Sequence, residues 1–192
     1  MIPKLEKLKA HSSIFRLKEA KRYGLSRQDI NYYTKRGFLE RVGHGVYRFK
    51  DIIDEMDLYS ELNKLLLFCP HCVVGLDTAL KLYGLTDEIS AEVDLLAPTN
   101  NIPKRKLEGV HIHTTPPKLM KMGVTQINGI AVTTLERTII DLLRKDKPLS
   151  FVLNVLRSAQ KKGIGIELIK VQKLGYKFRV SKKVQALLEA FL

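Results

Sequence analysis

The stretch that decides the fold is YGLSRQDINYYTKRG, residues 23–37. Gly24 stands where a preceding helix would end in the left-handed conformation, which glycine adopts without strain. Ser26 is a favourable N-cap, and Asp29 occupies the third helical position, where its carboxylate completes a capping box. A second helix is therefore predicted to begin after Ser26 and to end near Arg36. Two helices joined by such a tight turn are typical of a helix-turn-helix.

Helical spacing sorts the side chains of this second helix into two faces. With Ile30 pointing inward, Ser26, Tyr33 and Thr34 fall on the buried side, because successive residues turn by about 100°. The opposite side carries amides, which pair with adenine, and basic groups, which reach guanine or phosphate in the major groove. This predicted DNA-reading set comprises Arg27, Gln28, Asn31, Tyr32, Lys35 and Arg36. An ordinary solvated helix face is the alternative.

The flanking segments extend the helix-turn-helix into a winged helix over residues 1–50, here called the head. Pro3 can open a first helix, and Ser13 is predicted to cap a helix that runs to Tyr23. The β-rich runs on either side of Gly43-His44-Gly45 predict a hairpin, the wing, whose basic groups would meet phosphate or the minor groove. The predicted wing contacts are Arg41, His44, Arg48 and Lys50. A winged helix that serves only protein–protein contact is the alternative.

The charge of the chain changes sign along its length. The 192 residues carry a net charge of +13 and 45% hydrophobic residues, which excludes a disordered chain and favours a polyanionic partner. Residues 1–50 hold 13 basic and 4 acidic side chains, residues 51–100 hold 2 and 10, and residues 101–192 hold 18 and 6. The domain boundary is therefore predicted near Lys50. No apolar run suits a membrane span or an export signal, so a cytoplasmic protein with reduced thiols is expected.

Residues 51–192 predict a mixed α/β domain that ends in helices, which places the whole chain in the α+β class. The amphipathic spacing of residues 51–68 predicts a helix. Asp77 is predicted to cap a short helix, and Thr133, with Glu136 in a capping box, to cap the next long one. Strands are predicted at 72–75, 91–97, 110–113, 120–126 and 130–132, and terminal helices near 149–161, 165–174 and 180–191.

Five stretches follow one another in the order of a known family's motifs. They are Tyr23–Arg27, Arg36–Arg48, Leu76–Leu85, Gly109–His113 and Val132–Leu142. Together they resemble the AbiEi-type antitoxins, which belong to the type IV, abortive-infection toxin–antitoxin systems of prokaryotes. The last stretch, VTTLERTIIDL, is the most distinctive. Thr78 departs mildly from the family pattern, which often has serine or glycine before the Ala-Leu pair.

This resemblance implies an antitoxin whose winged helix binds double-stranded operator DNA and represses its own operon. It also implies that the C-terminal domain counteracts a nucleotidyltransferase-like toxin, with no direct contact required. The excess of basic residues near the C-terminus predicts an antitoxin surface, here called the tail set: Arg144, Lys145, Lys161, Lys162, Lys173, Lys177, Arg179, Lys182 and Lys183. The alternative is a stand-alone transcription regulator whose body senses a ligand or dimerises.

The cysteines and two histidines suggest chemistry but favour structural roles. Residues 69–72, Cys-Pro-His-Cys, have the Cys-X-X-Cys pattern of disulfide oxidoreductases, yet they lead into a predicted strand rather than begin a helix. With His111 and His113 the cysteines could supply zinc ligands. About 40 residues separate the two pairs, unlike the closely paired ligands of zinc motifs, so buried structural thiols are expected.

Carboxylates raise one enzymatic alternative. The spacing of Asp77, Glu92 and Asp94 is similar to that of the metal-binding carboxylates in metal-dependent nucleases. Capping and strand-edge roles explain these residues better. Arg137 and Asp141, four residues apart on one helix, predict a structural ion pair. The sequence therefore assigns no catalytic residue, no cofactor and no metal.

Overall fold

The computed structural model describes residues 3–51, 58–86, 92–104 and 106–191. It confirms the α+β class, with an N-terminal winged helix-turn-helix and a mixed α/β part that ends in helices. The chain divides into two compact units, residues 1–70 and 71–192. Within the described ranges, no helix is long and apolar enough to cross a bilayer.

The first unit combines helices with a small antiparallel sheet. Its elements are α1 Pro3–His11, β1 Ile14–Arg16, α2 Leu17–Arg22, α3 Arg27–Lys35, β2 Leu39–Gly43, β3 Val46–Phe49 and α4 Leu58–Phe68. The strands pair in the order β1-β3-β2 in the described part of this unit. One core joins α1, α2, α3 and the sheet, and it contains Leu5, Leu8, Phe15, Ala20, Leu25, Ile30, Tyr33, Leu39, Tyr47 and Phe49.

The predicted start of the second helix is wrong. Ile14–Arg16 form a strand, and α2 begins only at Leu17, so Ser13 does not cap it. The strand pairs with β3, where Phe15 lies opposite Tyr47, and both rings enter the core. The pairing partner lies far along the chain, so a three-residue strand of this kind leaves no periodic signal in its own sequence.

The division between the units lies later than the predicted boundary near Lys50, because α4 packs within the first unit. The guanidinium of Arg16, in β1, donates to the carbonyl oxygen of Leu67, and its Nε lies 2.6 Å from that oxygen. A Cβ placed on Gly43 would overlap the ring of Phe68, so the wing and the end of α4 are in close contact. Residues 52–57 of the helix predicted over 51–68 lie outside the described residues.

The second unit is built on a mixed sheet. Its elements are β4 Val73–Val74, α5 Leu76–Leu82, β5 Val93–Pro98, β6 Val110–Thr115, α6 Pro117–Met120, β7 Val124–Ile127, β8 Ile130–Thr133, α7 Leu135–Arg144, α8 Leu149–Lys161, α9 Leu168–Lys177 and α10 Ser181–Phe191. The described strands lie in the order β6-β5-β4-β8-β7. β5 pairs in parallel with β6, and β4 in parallel with β8, whereas the remaining pairs are antiparallel.

The core of this unit lies between the sheet and the helices. It unites Leu96 of β5 with Leu80 of α5 and Ile139 of α7, and it continues to Leu156 of α8 and Leu187 of α10. The apolar run predicted to be helical before Lys147 is therefore the central buried helix α7.

Two predicted N-caps of this unit are wrong. Gly75, not Asp77, is the N-cap of α5, and the Asp77 carboxylate instead accepts a hydrogen bond from Lys147 Nζ at 2.7 Å. Thr134 rather than Thr133 caps α7, because Thr133 still belongs to β8.

Other boundaries differ by a few residues. The strand predicted at 120–126 begins later, because Met120 is the last residue of α6 and β7 starts only at Val124. The helix predicted at 165–174 runs from Leu168 to Lys177. Ala91, the first residue of another predicted strand, lies outside the described residues.

Candidate nucleic-acid interface

The turn between α2 and α3 is fixed by backbone hydrogen bonds. Gly24 has a φ of +73°, and the N–H groups of Gly24 and Leu25 each donate at 3.0 Å, to the carbonyls of Lys21 and Ala20. These two bonds satisfy the last carbonyls of α2 in the glycine-terminated geometry that the sequence predicts. The direction in which α3 leaves α2 is thereby determined by local sequence.

The start of α3 carries the predicted capping box. The Ser26 hydroxyl accepts from the Asp29 N–H at 3.1 Å, and the Asp29 carboxylate accepts from the Ser26 N–H at 2.7 Å. Hydrogen bonds from the side chain and then the backbone of Ser26 lower the pKa of Asp29 from its ordinary value. Ser26 itself is exposed rather than buried as predicted, because an N-cap lies just outside the helical turn.

The predicted DNA-reading set lies exposed along α3 and its last turn. Ile30 and Tyr33 are 0% and 5% exposed and hold the inner face in the core, as predicted. On the outer face, Tyr32 is 52% exposed, and the guanidinium carbon of Arg36 lies 5.4 Å from the centre of its ring. The exposed members are Arg27, Gln28, Asn31, Tyr32, Lys35 and Arg36. A recognition helix presents side chains in this way to the major groove.

The wing holds its predicted basic contacts in different environments. His44 is exposed in the turn at the tip, and Arg41 donates from Nε to a wing carbonyl at 3.2 Å. Arg48 Nη2 lies 2.6 Å from Glu40 Oε2, and its hydrogen bond and charge lower the pKa of Glu40. Lys50 is exposed and follows the end of β3 that is farther from the tip. The four groups are therefore not equally available to phosphate.

The tail set is divided between paired and exposed groups. Arg144 Nη1 lies 3.1 Å from Asp141 Oδ1, Lys183 Nζ lies 2.5 Å from Asp146 Oδ1, and Lys162 donates to a backbone carbonyl. The members that are simply exposed are Lys145, Lys161, Lys173, Lys177, Arg179 and Lys182. Intramolecular pairing thus narrows the tail set to these six residues, three of which lie on α9 and α10.

The predicted structural pair of Arg137 and Asp141 is confirmed, and it is buried. Arg137 Nε donates to Asp141 Oδ2 at 2.7 Å, and Nη1 donates to the carbonyls of Leu119 and Met122 at 2.9 and 2.8 Å. The guanidinium carbon lies 3.9 Å from the ring centre of Phe178. Burial lowers the pKa of Arg137, and the Asp141 carboxylate opposes that shift. This pair joins α7 to the segment before β7.

Of the remaining candidates, the fold brings together one carboxylate and the two histidines of β6. Cys69 and Cys72 are both buried, as expected. Within the described residues, the group able to hold a metal ion contains neither cysteine nor Asp77; it consists of Asp94, His111 and His113. Sequence reasoning missed this cluster, because the parallel pairing of β5 with β6 that creates it cannot be deduced from either strand alone.

The fold and the exposed recognition helix define the class of the first unit, a winged helix-turn-helix of the kind that binds DNA. Residues 5–50 match the family described as "Transcriptional regulator, AbiEi antitoxin". This match confirms the resemblance of the head to AbiEi-type antitoxins.

The comparison with solved structures extends over both units. The crystal structure of RV2827C protein from Mycobacterium tuberculosis is similar with a TM-score of 0.50 and 13% sequence identity, over 97% of this chain and 79% of that chain. At this identity the similarity shows the fold alone. A search of curated proteins finds no matching sequence.

Proposed function

We propose that the protein binds double-stranded operator DNA through α3 and the wing, represses its own operon in the cytoplasm, and acts as an antitoxin against a nucleotidyltransferase-like toxin. The observation that carries the DNA-binding half is the exposure of the whole reading set on a capped helix behind a tight turn. The family matched by residues 5–50 supports the same role.

The geometry of the head suggests how the contacts divide. Gln28 and Asn31 are amide side chains that can pair bidentately with adenine from the major groove. Lys35 on the same helix and Lys50 beyond the wing are exposed cations suited to guanine or phosphate. Arg48 Nη2 is already paired with Glu40, so part of the charge of Arg48 is compensated before it meets DNA. Specificity is therefore assigned to α3.

Titration of operator and scrambled duplexes at several salt concentrations tests this assignment. Asn31→Ala should reduce the operator preference by about 1–3 kcal/mol, because a base-edge pair is lost. Lys50→Ala should weaken both duplexes alike and lower the slope of log K against log salt by about one. Arg48→Ala should have a smaller effect, and Lys7→Ala, which removes an exposed cation from α1, is the matched control.

Two outcomes would contradict the proposal. If Asn31→Ala keeps its full operator preference while the wing variants lose theirs, the wing reads the sequence and α3 is the clamp. If all of these variants bind like the unaltered chain, the head does not form the DNA-binding surface.

The antitoxin half is supported by the resemblance of the body and needs its own test. Co-expression with the cognate toxin in a growth-rescue assay should show weaker rescue for Lys173→Glu combined with Lys177→Glu on α9. Lys104→Glu combined with Lys106→Glu makes the same charge change on other exposed residues of the second unit and should rescue normally. Operator binding should stay intact in both. Equal loss of rescue and of operator binding would mean that the tail set serves DNA affinity instead.

A further inference from the structure

Three side chains with metal-binding chemistry converge on one face of the sheet in the second unit. β5 and β6 pair in parallel, with Asp94 opposite His111 and Leu96 opposite His113. Alternate residues of a strand share a face, so Asp94, His111 and His113 point to the same side. One ligand atom from each lies within 4.8 Å of the other two.

The scaffold holds two of these groups firmly. Asp94 and His113 are 9% and 6% exposed, and His113 Nε2 lies 2.7 Å from Asp94 Oδ1. The backbone N–H of Asp94 donates to the Thr78 hydroxyl at 2.8 Å, which ties β5 to α5. The ring centres of His111 and His113 are only 4.1 Å apart. Buried ligands fixed by neighbouring hydrogen bonds are what a preorganised metal site requires.

Hydrogen bonding within the protein does not satisfy this cluster. Nδ1 of His113 is buried and has no hydrogen-bond partner among the described residues. Buried polar atoms are paired in the large majority of cases, so the hydrogen-bonding capacity of this imidazole is not used up within the protein. Its Nε2, which faces Asp94, is the nitrogen that would bind a metal shared with the carboxylate.

We propose that Asp94, His111 and His113 bind a divalent transition-metal ion of the zinc class. Two imidazoles and one carboxylate are the protein ligands of open zinc sites, with bonds of about 2.0–2.2 Å. Ligand atoms around a tetrahedral ion are then about 3.3 Å apart. The present separations, from 2.7 Å to at most 4.8 Å, bracket this value, so small side-chain rotations suffice. Nitrogen ligands disfavour calcium and magnesium, which prefer oxygen.

The site has an entry path from solvent. β6 lies at one end of the described strand order, and the His111 side chain is 57% exposed. Glu92 Oε2 lies 4.0 Å from His111 Nδ1 and adds negative charge beside the opening. Three protein ligands leave a coordination position for water or an external ligand. Metal binding in the second unit does not depend on the DNA-binding function of the head.

Calorimetric titration of the full chain with Zn²⁺, after removal of metal by a chelator, tests the proposal. We expect one ion per chain, and His111→Gln and Asp94→Asn should each weaken binding by about 10–100-fold or more. His11→Gln removes an exposed imidazole from the head and is the matched control, with unchanged affinity.

Cobalt substitution identifies the ligands directly. The spectrum of the Co²⁺ form should show nitrogen and oxygen coordination, with no thiolate charge-transfer band. A thiolate band would assign the ion to the cysteines and would overturn the proposal. The proposal would also fail if the chain bound no stoichiometric zinc, or if His111→Gln and Asp94→Asn both kept full affinity. His111 is exposed, so His111→Gln should fold normally, which circular dichroism of the metal-free chain verifies.

Discussion

The buried pair of Arg137 and Asp141 gives the sharpest prediction of stability. Asp141→Asn keeps the shape of the side chain but removes its charge, and the Arg137 guanidinium, 0% exposed, loses its anionic partner. Breaking a buried ion pair from one side costs about 3–5 kcal/mol. The carbonyl acceptors of Leu119 and Met122 remain in place, so we expect the lower end of this range, about 3 kcal/mol.

A matched substitution separates burial from simple loss of charge. The Asp146 side chain is 82% exposed and lies 2.5 Å from Lys183 Nζ. A surface pair of this kind contributes about 0–1 kcal/mol, so Asp146→Asn should cost little. The double variant Arg137→Met with Asp141→Leu should be more stable than Asp141→Asn, because no unpaired charge then stays buried.

Calorimetric melting of the full chain, with urea unfolding followed by circular dichroism, measures these costs. A loss of about 3 kcal/mol corresponds to a melting temperature about 10 °C lower for a unit of this size. If Asp141→Asn and Asp146→Asn prove equally mild, the buried pair does not stabilise α7 against the segment before β7, and the reasoning fails.

Two further predictions concern local geometry. Gly123 has a φ of +62°, and a Cβ there would lie 2.6 Å from Arg137 Cβ; Gly123→Ala should therefore lower the melting temperature more than Gly109→Ala, where φ is +67° but the space is open. Ser26→Ala should cost about 0.5–2 kcal/mol in urea unfolding through loss of the α3 cap, and equal stability would refute the cap. It should also raise the pKa of Asp29 in an NMR titration. The lowered pKa of Asp29 stabilises the folded chain above pH 3.8, the ordinary pKa, and this stabilisation is lost as the pH falls through the lowered pKa. Ser26→Ala should therefore lose less stability in acid than the unaltered chain does.

The elements that the sequence predicts well are those that local chemistry determines. The glycine after α2 and the serine before α3 act within one helical turn, so their hydrogen bonds follow from spacing alone. The hairpin is predictable because Gly45, with a φ of +67°, supplies the conformation that its turn needs. The outward face of α3 follows from the single assumption that Ile30 is buried.

The errors arise where a distant partner decides the outcome. Ile14–Arg16 become a strand because β3 lies beside them, and three residues are too few to show a strand period in the sequence. Thr133 and Thr134 are both acceptable caps, and only the length of β8 decides between them. The cluster at Asp94 depends on a parallel register that no local pattern encodes.

The partners of the basic groups also determine how the head can divide affinity from specificity. Arg48 is paired with Glu40 at 2.6 Å, so much of its charge is already compensated. The length of β3, roughly 15 Å, separates Lys50 from His44 at the tip, so the two cannot contact the same phosphate. Exposed cations lie closer together on α3 and its last turn, where Lys35 accompanies the amide of Asn31. Because one short helix carries both kinds of side chain, we expect removal of its cation to change the salt dependence of DNA binding and removal of its neighbouring amide to change the choice of sequence.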